Sequence, residues 1–198
     1  MHSVTLSLTF VEDRLRFGNK NEKNAFSFCI PLTLHYLCNI LTKNTSSMEI
    51  GDKAPEILGY DENGNEVRLS EFAGKKLVLY FYPKDMTSGC TTEACNLRDN
   101  MSALSDAGYV VLGASVDDAK SHQKFIAKHE LPFHLIADTD KTLVEQFGVW
   151  GEKSMYGRKY FGTFRTTFII NEEGIVERII GPKKIKTKDH ANQILSGV

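Results

Sequence analysis

Two cysteines, Cys90 and Cys95, lie five residues apart in the stretch FYPKDMTSGCTTEACNLRD, residues 81–99. Cys90 falls where a loop is expected to turn into a helix, directly after an apolar run that reads as a central strand. Open α/β sheets place their ligand sites at the carboxyl ends of strands. A helix start adds unpaired backbone N–H groups and the positive end of the helix dipole. Both features favour a thiolate over a thiol, and the thiolate is the nucleophilic form that attacks a peroxide oxygen. Attack leaves a sulfenic acid, which needs a second thiol to escape further oxidation. Cys95 is the nearest one in sequence, yet five residues of intact helix hold two Cα atoms roughly 8–9 Å apart. A disulfide needs less than about 7 Å. Any bond between these cysteines therefore requires local unwinding between them.

The elements that must position this stretch follow in order from Met48. Residues 56–58 and 66–69 flank Asp61-Glu62-Asn63-Gly64-Asn65, a turn with Asn-Gly at its centre, and read as a hairpin. Residues 76–82 (KLVLYFY) form a continuous β-branched and aromatic run, expected as a strand buried on both faces and stopped by Pro83. Residues 91–107 read as one helix with Ala94, Leu97, Met101 and Leu104 at helical spacing, ended by Gly108. A second buried strand is expected over 109–116, a helix over 119–129 and a third strand over 133–137. A short helix over 141–147 takes Asp138, Thr139 or Asp140 as its cap and Gly148 as its stop. Residues 166–170 and 175–180 form a closing hairpin, and 189–195 a last helix. The order predicts an α/β sandwich, parallel in the middle of its sheet and antiparallel at the end, in the pattern of a thioredoxin-like fold.

Bulk properties narrow the function classes. The 198 residues carry a formal net charge of −1, with 41% apolar and 25% charged residues. There is no basic excess to suggest nucleic acid and no basic amphipathic helix to suggest a membrane surface. Four cysteines are too few for a disulfide framework at this length, so the close pair reads as reactive. Residues 1–47 are irregular, and the apolar stretch 25–41 is too short and broken for a membrane span. No small-residue cleavage site follows it. The expectation is an extension without a fold of its own, with Met48 as a natural start, ahead of a domain over 48–198. Without a targeting signal, the cytoplasm is the expected compartment.

From Pro83 through Thr87 to Cys90 the residues match P-x-x-x-T-x-x-C, and the fuller string YFYPKDMTSGCTTEACNLRD closely resembles the bacterioferritin comigratory protein, or peroxiredoxin Q, branch of the peroxiredoxins. The resemblance runs from about Met48 to Leu195 through GDKAP, ADTDK, QFGVWGEKSMYG and FRTTFII. It implies an atypical two-cysteine peroxidase acting on hydroperoxides, reduced by thioredoxin, without metal or organic cofactor, as a monomer or weak homodimer. By the same resemblance Cys90 is the peroxidatic nucleophile and Cys95 the resolving thiol. Thr87 orients the peroxide, Pro83 shields the reactive cysteine from water, and Arg165 is the active-site arginine. Glu93, three residues after Cys90, suits either the orientation of that arginine or simple placement of negative charge in a first helical turn.

Each residue has a plainer reading. Thr87 also suits an N-cap or turn, and Arg165 a surface charge at a strand start. Cys29 and Cys38 sit in apolar surroundings and read as inert. His122, His129 and His134 lack metal-ligand spacing and read as solvated or satisfied. Asp138 and Asp140 fit a turn and a cap better than a cation site. Trp150 and the aromatics of the loop 156–164 read as packing, or as an apolar lining of the peroxide entrance that would favour organic hydroperoxides. A thioredoxin-type disulfide oxidoreductase favours Cys-x-x-Cys, whereas the spacing here is Cys-x-x-x-x-Cys. A peroxide sensor relaying oxidation to a partner is the non-enzymatic alternative.

Overall fold

The computed structural model describes residues 47–155 and 157–197. The expected extension up to residue 46, with Cys29 and Cys38, lies outside the described residues. The described residues form one compact unit. It opens with an antiparallel hairpin, β1 (Ile57–Tyr60) and β2 (Glu66–Arg68). Its turn is built by Asp61, whose Oδ1 accepts from the N–H groups of Asn63 and Asn65. Gly64 follows at φ +84°, in the left-handed region that glycine enters without a Cβ penalty.

The central sheet has the order β5-β4-β3-β8-β9. Strand β3 (Lys76–Phe81) runs parallel to β4 (Tyr109–Ser115), which runs parallel to β5 (Leu135–Ala137). On its other side β3 pairs antiparallel with β8 (Thr166–Ile170), and β8 with β9 (Val176–Ile180). The mixed sheet, parallel in the middle and antiparallel at its end, is the one expected from the element order. Strand β3 feeds both faces, as its unbroken apolar run requires. Leu77, Leu79 and Phe81 pack on one side with Phe147 and Phe168, where the three phenylalanine rings lie 4.8–5.7 Å apart. Val78, Tyr80 and Tyr82 pack on the other side with Cys90, Ala94, Leu97 and Phe125.

The helix expected over 91–107 is two helices. The first, α1 (Ser88–Asp99), starts three residues early; the second, α2 (Met101–Asp106), follows a break at Asn100. Asn100 sits at φ −109°, ψ 13°, and its side chain donates to the carbonyl of Asn96. This is local competition with the helix backbone typical of asparagine. Helix α3 (Ala119–His129) is capped by Asp118, whose carboxylate accepts from the N–H of Ser121. Helix α4 (Thr142–Gln146) has Lys141 at its N-cap position, not one of the three residues expected. Asp138 nevertheless does the capping, accepting from the N–H groups of Leu143 and Val144.

Residues 158–163 of the stretch expected as a loop belong to a second hairpin, β6 (Trp150–Met155) against β7 (Arg158–Thr163). Phe161 stands 64% exposed on it. Helix α5 (His190–Leu195) packs against α1 and closes the domain. No helix among the described residues is long and apolar enough to cross a membrane.

Candidate active site

Strand β3 ends at Phe81, and the chain turns through Pro83, Lys84, Asp85, Met86 and Thr87 before α1 begins. This turn is held from below by a buried polar cluster. Asp85 is 4% exposed, and its carboxylate accepts from the hydroxyl of Tyr82 (2.7 Å), the hydroxyl of Ser121 (2.7 Å) and Nδ1 of His122 (2.9 Å). The other ring nitrogen of His122 faces the carbonyl of Ile136 at 3.0 Å, so of the two readings, solvated or satisfied, His122 is the satisfied one. Burial alone would push the Asp85 carboxyl up, but the bonds from His122, Ser121 and Tyr82 outweigh it and hold the carboxyl below its ordinary range. The N–H of Asp85 donates to Asp117 at 2.8 Å, which ties the turn to the end of β4.

Thr87 is the N-cap residue of α1, in extended conformation. It is exposed, and its hydroxyl donates to the carbonyl of Lys84 at 3.0 Å instead of capping the helix. Pro83 is half-buried. Cys90 is the third residue of α1 and 2% exposed. It therefore lies within the first turn, where backbone N–H groups have no partner in the helix.

Arg165 reaches Cys90 from the residue before β8. Its Nη2 lies 3.1 Å from Cys90 Sγ, and its Nη1 donates to Oε2 of Glu93. Gly89 lies beside the guanidinium: a Cβ there would stand 3.4 Å from Nη2 of Arg165, an ordinary contact. The antiparallel register of β3 and β8, with Phe81 opposite Thr166, brings residue 165 beside the end of β3. The structure thus unites Cys90, Glu93 and Arg165 across 75 residues of sequence.

The electrostatics of this group are set by burial. Glu93 has no exposed side-chain surface, and burial pushes its carboxyl up to about 7 against the pull of Arg165. Burial works against the Arg165 cation too, but Glu93 and then Cys90 more than offset it and hold the guanidinium's proton more tightly. Among the described residues Glu93 Oε1 has no hydrogen-bond partner; it faces Nε2 of the buried His190 at 3.7 Å. Burial pushes His190 down to about 4, so it is neutral near pH 7, and its Nε2 lies 2.8 Å from the hydroxyl of Thr167.

Sequence reasoning singled out neither Asp85, His190 nor Lys153. Lys153, on β6, bonds the carbonyl of Thr163 at 2.6 Å and stacks over Phe164. Burial and then the charge of Arg165 lower its pKa, and charge at Cys90 offsets them only in part.

Cys95 is half-buried on α1, and its Sγ lies 4.0 Å from Nδ1 of His129 on α3. Both Cys90 and Cys95 are free thiols, and the helix between them is intact. His134, read from the sequence as solvated or satisfied and without metal-ligand spacing, meets Asp61 and Glu62, with the ligand atoms of all three within 4.8 Å of one another. Those carboxylates already accept from Asn63, Asn65, Leu135 and His134 itself.

Residues 50–179 match the model of the AhpC/TSA family. The chain is 45% identical over 150 residues to peroxiredoxin Bcp of Bacillus subtilis, spanning 75% of this chain and 94% of that protein. Among solved structures it resembles a cysteine-to-serine mutant of PrxQ from Xylella fastidiosa, with TM-score 0.70 and 33% identity over 77% of this chain and 96% of that one. It also resembles the bacterioferritin comigratory protein of Xanthomonas campestris, described for its alkyl peroxide reduction activity (TM-score 0.64, 38% identity, covering 70% and 87%).

Proposed function

This chain belongs to the AhpC/TSA family as a peroxiredoxin, and from that premise we propose that Cys90 is its peroxidatic nucleophile and Cys95 the thiol that closes its catalytic cycle. The observation that carries the reading is the guanidinium of Arg165, 3.1 Å from Cys90 Sγ in the first turn of α1. A permanent cation and unpaired N–H groups stabilise the thiolate and the oxygen charge that develops during attack.

In the first step the Cys90 sulfur bonds the terminal oxygen of the hydroperoxide. The O–O bond breaks, and the departing oxygen takes a proton and leaves as water or an alcohol. Sulfur is oxidised to sulfenic acid as the peroxide is reduced. Cys95 then attacks that sulfur, a disulfide forms and water leaves. Both cysteines lie on one helix, so this step unwinds α1 between them. A dithiol reductant of thioredoxin type restores both thiols by exchange. Thr87 and Pro83 complete the site in this reading. Substrates are hydrogen peroxide and organic hydroperoxides. The reading includes a chain that works in the cytoplasm as a monomer or weak homodimer.

Coupled NADPH oxidation with thioredoxin and its reductase tests the reading. Sustained, peroxide-dependent NADPH consumption is expected with hydrogen peroxide and with cumene hydroperoxide. Insulin reduction should stay at background. The reverse pattern, active with insulin and idle with peroxide, would make the protein a disulfide oxidoreductase instead.

A further inference from the structure

Cys95 does not stand alone. Its Sγ contacts Nδ1 of His129 at 4.0 Å, in the last turn of α3. The ring is set edge-on to Phe125, with centroids 5.2 Å apart. The backbone beneath it is clamped by Arg98, whose Nη1 donates to the His129 carbonyl at 2.6 Å. Arg98 lies three residues after Cys95 on the same helix, so α1 supplies both the thiol and the clamp. The helix C-terminus favours positive charge on a side chain in its last turn. The charged groups around the contact are Arg98 and Asp99 from α1, with Lys128 and the C-cap Glu130 from α3.

We propose that His129 is the proton acceptor for Cys95 and delivers it as a thiolate for disulfide closure. This deepens the reading of Cys95 as the resolving thiol and rests on it. The Cys95 S–H bond breaks, and the proton passes to Nδ1 of His129. The Cys95 sulfur bonds the Cys90 sulfur as the S–O bond of the sulfenic acid breaks. The departing hydroxide takes the proton back from the imidazolium and leaves as water. The oxidant is the hydroperoxide already consumed in the first step. The contact also holds Cys95 against α3 while the enzyme is reduced, so proton transfer precedes the unwinding that releases the thiolate.

The test measures Cys95 directly. In Cys90→Ser protein, alkylation of Cys95 by iodoacetamide is followed by peptide mass, which separates it from Cys29 and Cys38. With His129 as acceptor, Cys95 alkylates at pH 7 at least about 10-fold faster than a free cysteine thiol. His129→Gln and His129→Asn lower the rate at pH 7 at least about 10-fold. A native rate no faster than that of free cysteine overturns the proposal without reference to any variant. In the otherwise native chain, His129→Gln slows Cys90–Cys95 disulfide closure by roughly 10², the low end for removal of a general base. Closure at the native rate in both variants refutes the role of His129 and leaves the peroxidase cycle standing. Failure of the native protein to form a Cys90–Cys95 disulfide, with alkylation still dependent on His129, would instead sink the cycle and leave the Cys95–His129 couple intact.

Discussion

Cys90→Ser protein consumes no hydroperoxide above the uncatalysed rate. The substitution exchanges one atom in a site that is 2% exposed, so the fold and the Arg165–Glu93 pair remain in place. A serine hydroxyl beside Arg165 stays protonated and is a poor nucleophile toward peroxide oxygen. The loss in turnover is on the order of 10⁶, the scale on which removal of a nucleophile leaves only background. Cys95→Ser behaves differently: it reacts with one equivalent of peroxide and then stalls with thioredoxin. Stopped-flow peroxide consumption separates the two. Substantial turnover by Cys90→Ser would mean that the chemistry lies elsewhere.

The second large effect follows from Arg165. Arg165→Gln removes the charge 3.1 Å from Cys90 Sγ and lowers kcat/KM by roughly 10²–10³, the typical cost of losing one donor to a developing charge. It also strands Glu93, which has no exposed side-chain surface. Without that cation the buried carboxyl takes up a proton, and its lost hydrogen bond costs about 1–3 kcal/mol. For a domain of this size that lowers Tm by roughly 2–12 °C. The double variant Glu93→Gln, Arg165→Gln regains most of that stability and none of the activity. Glu93→Gln alone reports on pH. Burial holds the Glu93 proton up to about 7, whereas an unfolded chain releases it near the ordinary glutamate value. Between those values the folded protein binds more protons, so this group's contribution to stability falls as pH rises through that window. Activity runs the other way. Below about 7 the carboxylate that anchors Arg165 is lost, and kcat/KM declines on the acid side. Glu93→Gln flattens that decline. An unchanged kcat/KM in Arg165→Gln would remove the arginine from the mechanism.

Much of this frame is legible in the residues themselves. The run KLVLYFY can only be satisfied by burial on both faces, and β3 feeds two cores as that demands. Cys90 after that strand follows from the order of elements. Arg165 does not, because 75 residues separate it from Cys90 and only the β3–β8 register brings them together. It entered through resemblance to a family, not through any local signal. His190 and Asp85 were hidden for the same reason, and His129 was read only as solvated or satisfied: each acquires its partner by packing between elements distant in sequence. The break at Asn100 escaped because the apolar spacing Ala94, Leu97, Met101, Leu104 continues across it. The β6–β7 hairpin escaped because WGEKSM and RKYFGT lack alternation, with Gly151 paired to Gly162 across the strands.

The most direct measurement is a peptide map of the reduced protein after one equivalent of hydrogen peroxide, with and without thioredoxin and its reductase. The account predicts a Cys90–Cys95 disulfide that thioredoxin removes, with Cys29 and Cys38 unchanged. An unmodified Cys90, or a disulfide through Cys29 or Cys38, would contradict it.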